Sequence, residues 1–455
     1  MAPDGLARPR RYWAMAAIWL AMTAAALDGS AAIVALPTIA RDLHTTPAAS
    51  IWVVNGFQLG AIVSLLPLAA LGEIVSYRRV FLGGLGLFIL AALGCALSRD
   101  LTVLTAWRAL EGIGVAGIVS VNAAVVRYTV PHERIGAMLG LNALIVALFG
   151  ALGPSLAAAI LSVATWPWLF AIHIPAGLAA LAIGLRTLPD SPRSGHRLDL
   201  VDVTLSVAAF AQLFLGAQRA AVQPRDPGAW LLLATGAAAA AVLVRRSLAK
   251  PRPLIPLDLL RAPLFSLSIL TSVVTFTAQM MAFIALPFYF VHVAGRTPAA
   301  AGLLMTAWSA AIVVAAPLAG RLADRHSAAV LGGVGLSVMA LGLAMLALLP
   351  AQPSSADIIW RMGLCGLGFG FFQAPNNRAL MLAAPIGRAG GAAGMQAIAR
   401  HTGQILGAIV VAALFAASRN AEVLALGLGA GSAALAAAAS FSRLRQALTP
   451  AGSRG

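Results

Sequence analysis

Ala26-Leu27-Asp28-Gly29-Ser30-Ala31-Ala32-Ile33-Val34-Ala35-Leu36-Pro37 sets one carboxylate into a run, Trp13 to Pro37, in which Asp28 is the sole ionisable residue. A helix of about 20 mostly apolar residues crosses the hydrocarbon core of a bilayer, so this run is long enough to span. An ionised group at that depth costs about 2.5–3.5 kcal/mol on insertion scales, and it is expected to face a watery cavity or a partner rather than lipid. The competing reading is a carboxylate near a helix end that reaches back to water. What the rest of the chain supplies around Asp28 decides between them.

The 455 residues are 60% hydrophobic and 10% charged, with a mean hydropathy of +0.89. Soluble proteins carry about 25% charge, so the composition is that of an all-α polytopic membrane protein. A β-barrel would show short alternating segments instead of long apolar runs. The net charge of +16 comes from basic residues set singly or in small groups between apolar runs. That placement fits membrane topology signals and not a nucleic-acid surface. Cys95 and Cys365 both lie in apolar runs and read as small buried hydrophobes. The short basic start (Arg8, Arg10, Arg11) leads into the first run with no polar cleavage region behind it, which reads as a retained span. No Gly-rich phosphate loop, hydrolase constellation or metal-ligand cluster stands out, so an ATP-driven pump, an enzyme and a resident cofactor are not expected.

Fourteen candidate spans follow: 12–37, 50–71, 79–98, 101–126, 134–160, 166–187, 200–218, 228–245, 263–290, 299–320, 328–349, 357–381, 390–416 and 420–441. With the start placed inside, 22 of the 31 basic residues fall on the cytoplasmic side and 7 on the outer side, Arg108 and Arg400 being left within spans. The positive-inside rule then puts both termini in the cytoplasm.

Three patterns recur in the same order at offsets near 250. Ala35-Leu36-Pro37 returns as Ala285-Leu286-Pro287. Pro67-Leu68-Ala69 through Glu73 and Arg78-Arg79 returns as Pro317-Leu318-Ala319 through Asp324-Arg325. Trp107-Arg108 with Gly112 and Gly114 returns as Trp360-Arg361 with Gly366 and Gly368. Such repeats mark two halves built alike. The expected organisation is a six-helix bundle over 1–190, two linking transmembrane helices and a Pro-rich cytoplasmic loop over 191–261, and a second six-helix bundle with a short tail over 262–455.

On these motifs the chain resembles the major facilitator superfamily, in its fourteen-helix drug:proton antiporter branch. The loop after span two, with Glu73, Arg78 and Arg79, is similar to the family's cytoplasmic gating motif, although Ser76 stands where Gly is usual. Gly320, Asp324 and Arg325 form the better-matched second copy. The resemblance implies that the acidic residue caps a helix and pairs with Arg to hold an inner gate shut. It makes Arg108 the family's buried Arg, with Glu111 at i+3 able to neutralise it, or else to form a purely structural pair. Gly150, Gly153 and Pro154 resemble the antiporter signature of span five, with Gly spacing for close packing and Pro154 removing one backbone hydrogen bond. Small-residue packing alone would produce the same pattern.

Of the carboxylates, only Asp28 and Glu111 lie well inside spans. Asp28 has no opposite charge within reach on its own helix, which points to it as the proton and cation site, with Arg108 and Glu111 as a secondary relay. Candidate cavity-lining residues are Asn55, expected beside Asp28, together with Trp308, Gln373, Asn376, Asn377, Arg400 and His401. The implied function is proton-coupled efflux of lipophilic, cationic or neutral small molecules by alternating access. The proton gradient would be the energy source, in a bacterial-type cytoplasmic membrane, by a monomer with lipid, protons and substrate as its partners. Two alternatives remain: a same-fold exporter of a defined metabolite, siderophore or lipid, with Arg108 and Arg400 reading an anion, and a non-transporting membrane sensor or assembly partner.

Overall fold

The computed structural model describes residues 5–192, 199–250, 255–323, 325–350, 352–383 and 389–447, and among them every regular element is helical. The chain divides into two compact units, Met1–Ala249 and Lys250–Gly455. The first holds α1 (Arg10–Val34), α2 (Leu36–Asp42), α3 (Pro47–Ser50), α4 (Trp52–Val75), α5 (Tyr77–Leu97), α6 (Leu101–Thr129), α7 (Ile135–Val163), α8 (Pro167–Ala171), α9 (His173–Thr187), α10 (Leu200–Val222) and α11 (Pro227–Ala249). The second holds α12 (Pro263–Phe288), α13 (Pro298–Leu322), α14 (Ala328–Ala347), α15 (Ser355–Ala383), α16 (Ala389–Ala417) and α17 (Ala421–Ala447).

Local chemistry explains where many of these helices begin. Asp100 caps α6 by accepting from the Val103 amide at 2.9 Å, and Thr46, Thr297 and Ser327 cap α3, α13 and α14 in the same way. Pro occupies the first turn of α3, α8, α12 and α13, where its missing N–H costs nothing.

Among the described residues thirteen stretches are long and apolar enough to cross a membrane, one fewer than the fourteen expected. The difference is α15, whose 29 residues include Asp357, Arg361, Gln373, Asn376, Asn377 and Arg378 and are correspondingly less apolar.

The sequence repeat reappears as a pairing pattern. In the first unit α1 packs on α7 and α9, α4 on α6, and α5 on α6 and α9; in the second, α12 packs on α16 and α17, α13 on α15, and α14 on α15 and α17. Gly112 lets α6 press against the Phe57 carbonyl of α4, and Gly366 lets α15 press against the Trp308 carbonyl of α13; a Cβ at either would collide with that backbone. The Pro copies diverge. Pro37 opens the separate helix α2, whereas Pro287 lies inside α12, which runs on into a π-turn at Tyr289–Val293.

The two additional helices pack within the first unit. Trp52 of α4 meets Phe214 of α10 edge-on at 6.0 Å, and Asn55 Nδ2 donates to Gln218 Oε1 at 3.2 Å. Arg246 of α11 holds Asp199 and Asp202 at the start of α10, at 3.1 and 2.7 Å. Helix α11 continues to Ala249, beyond the expected end of its span at 245.

Candidate functional site

In the first unit one guanidinium gathers two carboxylates from two helices. Helix α6 presents Arg108 and Glu111 one turn apart, and α1 brings Asp28 alongside. Arg108 Nη1 donates to Asp28 Oδ1 and Oδ2 at 2.9 and 2.8 Å and to Glu111 Oε2 at 2.7 Å. Arg108 Nε donates to the Val53 carbonyl of α4 at 3.1 Å. The guanidinium lies over the rings of Phe57 and Phe170, at 4.5 and 5.4 Å from their centroids. All three charged residues are at most 1% exposed.

The surroundings sharpen the chemistry. Cys95 of α5 donates its thiol to Glu111 Oε2 at 3.4 Å. Among the described residues Glu111 Oε1 has no hydrogen-bond partner, nor has Nε2 of His173, which is buried at the start of α9 with its ring 6.4 Å from that of Phe88. Two ionised carboxylates against one guanidinium would leave a net charge of −1 where water is excluded, and buried charge without compensation is expensive. One added proton balances the cluster.

This geometry joins groups that the sequence treated separately, Asp28 on one helix and the Arg108–Glu111 pair on another. Within α1 no cation is in reach, but Arg108 is long enough to bridge from α6, 80 residues further along the chain. Asp28, Arg108 and Glu111 are one site. Asn55, expected to face the same region, donates from its amide to Gln218 of α10.

Gly153 packs α7 against α1 beside this cluster: a Cβ there would collide with Ser30 Oγ and meet the Leu27 carbonyl at 3.2 Å. Gly150 has open space around the position of a Cβ, so the close approach expected of both glycines is made by Gly153. Pro154 lies within the continuous α7.

At the gating loops, Glu73 and Arg79 are exposed, while Arg78 pairs with Asp190 at 3.4 Å and donates to the Leu185 carbonyl of α9. The Tyr77 amide donates to Ser191 Oγ at 3.0 Å. Ser76 holds a φ of +132°, in the region that favours glycine. In the second copy Gly320 and Arg325 are exposed, and Asp324 lies outside the described residues.

The second unit arranges its polar residues differently. Arg443, 1% exposed, donates to Ser268 Oγ at 2.9 Å and Asn376 Oδ1 at 2.8 Å, and also to Ser440 Oγ. Asn376 in turn donates to Ser272 Oγ at 2.8 Å. Arg361, the repeat counterpart of Arg108, pairs with Asp357 one turn earlier at 3.1 Å and donates to the Met345 carbonyl. Trp308 is fully buried with its ring 5.1 Å from Phe283, and Asn377 accepts from Gln396. Gln373 is half-buried, His401 is buried, and Arg400 stands half-buried near the middle of α16.

Sequence reasoning missed the contact of Cys95 with Glu111 and the hydrogen bonds of Arg443. Cys95 was legible only as a small buried residue. Arg443 sat among the basic residues at span ends and was absorbed into the topology count.

A family model described as Major Facilitator Superfamily matches residues 18–408. The chain is 47% identical over 416 residues to "Uncharacterized transporter YebQ" of Escherichia coli (strain K12), covering 90% of each. It is 30% identical over 399 residues to "Multidrug resistance protein Stp" of Mycobacterium tuberculosis (strain CDC 1551 / Oshkosh), covering 86% of this chain and 73% of that one. A solved POT family transporter in complex with a thioalcohol-conjugated peptide superposes with a TM-score of 0.72 over 97% of both chains, at 13% identity, a likeness of fold alone. By these matches, together with its helical repeat and apolar spans, the chain belongs to the major facilitator superfamily and is a multi-pass membrane transporter rather than an enzyme.

Proposed function

We propose that the protein is a proton-coupled exporter of lipophilic small molecules, of the drug:proton antiporter type, working by alternating access in a bacterial cytoplasmic membrane. The observation that carries this reading is the pair of carboxylates sharing Arg108 Nη1 out of contact with water. A site with one excess negative charge is balanced by one proton. When a gate opens and Arg108 parts from Asp28, the carboxylate can exchange that proton with the exposed side. Differential stability of the cluster in two states is what a gradient needs in order to do work on a second ligand.

The similarity to a protein described as a multidrug resistance protein supports export of drug-like compounds. The basic residues concentrated on one side support cytoplasmic termini. With α15 counted as a span, the helix complement would be that of the fourteen-helix branch. The chain's energy source is then the proton gradient, with no bound cofactor.

The test is efflux of a fluorescent lipophilic dye from proteoliposomes under an imposed pH gradient. Gradient-dependent flux that is lost in Asp28→Asn supports the reading. Flux that ignores the gradient in the wild type contradicts it.

A further inference from the structure

We infer that Arg400 is a substrate-reading residue and that the compounds carried include lipophilic acids, their carboxylate received by Arg400 on α16. This rests on the export reading for the statement that the bound acid is cargo. Arg400 lies near the middle of a 29-residue helix in a transmembrane bundle. Among the described residues no hydrogen bond or ion pair is made by it, and its Nε is both shut off from solvent and unpartnered. This contrasts with Arg443 of the same unit, whose guanidinium is held by Ser268, Asn376 and Ser440. A guanidinium retained at mid-membrane without a counter-charge is costly. It is also the group best shaped to take a carboxylate through paired N–H donors.

The helix around it is built for a polar ligand. Gln396, Arg400 and Gln404 recur every fourth residue and so share one side of α16, and all three are half-buried. Along that side Gln396 reaches Asn377 of α15, and Gly403 brings the helix against the Val273 carbonyl and Phe276 of α12. Phe276 meets Phe369 of α15 edge-on at 5.6 Å, and Phe369 lies 6.3 Å from Phe372. A charged donor one turn from the helix's contact with Phe276 matches a molecule with an apolar body and one acidic end.

The test is direct binding to the full chain in phosphatidylcholine nanodiscs, followed by fluorescence anisotropy with empty discs subtracted. The probes are 1-pyrenebutyrate and the neutral 1-pyrenebutanol. Wild type should bind the carboxylate about 10- to 100-fold more tightly, the range expected of charge-assisted hydrogen bonds in a shielded site. Arg400→Gln should bring the two probes to equal affinity, and Arg400→Lys should keep a reduced preference for the acid. Should Arg400→Gln fail to yield monodisperse protein, the wild-type ratio and its reduction in Arg400→Lys decide. Equal affinities in the wild type, or an acid preference unchanged in both variants, overturns the inference. Binding needs no flux, so an acid preference found without gradient-driven efflux would count against the export reading alone.

Discussion

Each unit buries an arginine at about 1% exposure, but the two are surrounded by different chemistry. Arg108 is met by two carboxylates, Arg443 by hydroxyls and an amide. The first cluster sets two acidic groups against one base, so its net charge depends on whether a proton is held with them. The second is held by hydroxyl and amide groups, which do not titrate near neutrality, and it ties α12, α15 and α17 together. Two halves of one repeat thus surround their buried arginines differently, one with acidic groups and the other with neutral ones.

The largest effect should come from breaking that contrast at its centre. Arg108→Leu strands two buried carboxylates, a loss on the order of 3–5 kcal/mol, and the protein should accumulate poorly and melt early in detergent. Arg443→Leu strands only neutral groups and should cost about 1–3 kcal/mol. Melting curves of the two variants measured side by side decide the matter, and an equal or larger loss at Arg443 would erase the distinction.

Next in size are the helix crossings that the halves share. Gly112→Ala and Gly366→Ala each push a methyl group into a backbone carbonyl, and each should destabilise by about 1–3 kcal/mol of overpacking. Similar losses in the two variants support equivalent crossings, and an unaffected Gly366→Ala would deny it.

Glu111→Gln leaves the Asp28–Arg108 pair balanced. Melting should shift by no more than about 1 kcal/mol, whereas gradient-driven dye efflux should fall at least about tenfold, or about 1.4 kcal/mol in barrier. Efflux at the wild-type rate would remove Glu111 from the coupling site. The smallest change belongs to Ser76→Gly. Relief of the positive φ should raise stability by about 1 kcal/mol, partly offset by losing the 3.3 Å hydroxyl contact with Ser191.

Much of the architecture was legible because membrane helices announce themselves through apolarity and because the repeat preserved the order of its motifs. The ionisable residues of the site were legible one by one, since a carboxylate or Arg inside an apolar run is conspicuous. Their convergence was not. Contact between Asp28 and Arg108 depends on how α1 crosses α6, and helical periodicity describes neighbours on one helix only. For the same reason the bond from Asn55 to Gln218 was not legible: which face of α4 receives α10 is a matter of packing. Arg443 was hidden by its position near a span end, where a basic residue ordinarily needs no partner beyond water and lipid headgroups. The polarity of α15 follows from the work of Asn376 and Arg361, each tied to a neighbouring helix.

The account stands or falls on Asp28 and Arg108 forming a proton-responsive site. The most direct measurement is the rate of dye efflux from proteoliposomes as a function of imposed pH gradient, with wild type and Asp28→Asn reconstituted at equal density. The account predicts a rate that climbs with the gradient in the wild type and stays flat at the background level in Asp28→Asn. A variant that follows the wild-type gradient dependence would contradict it.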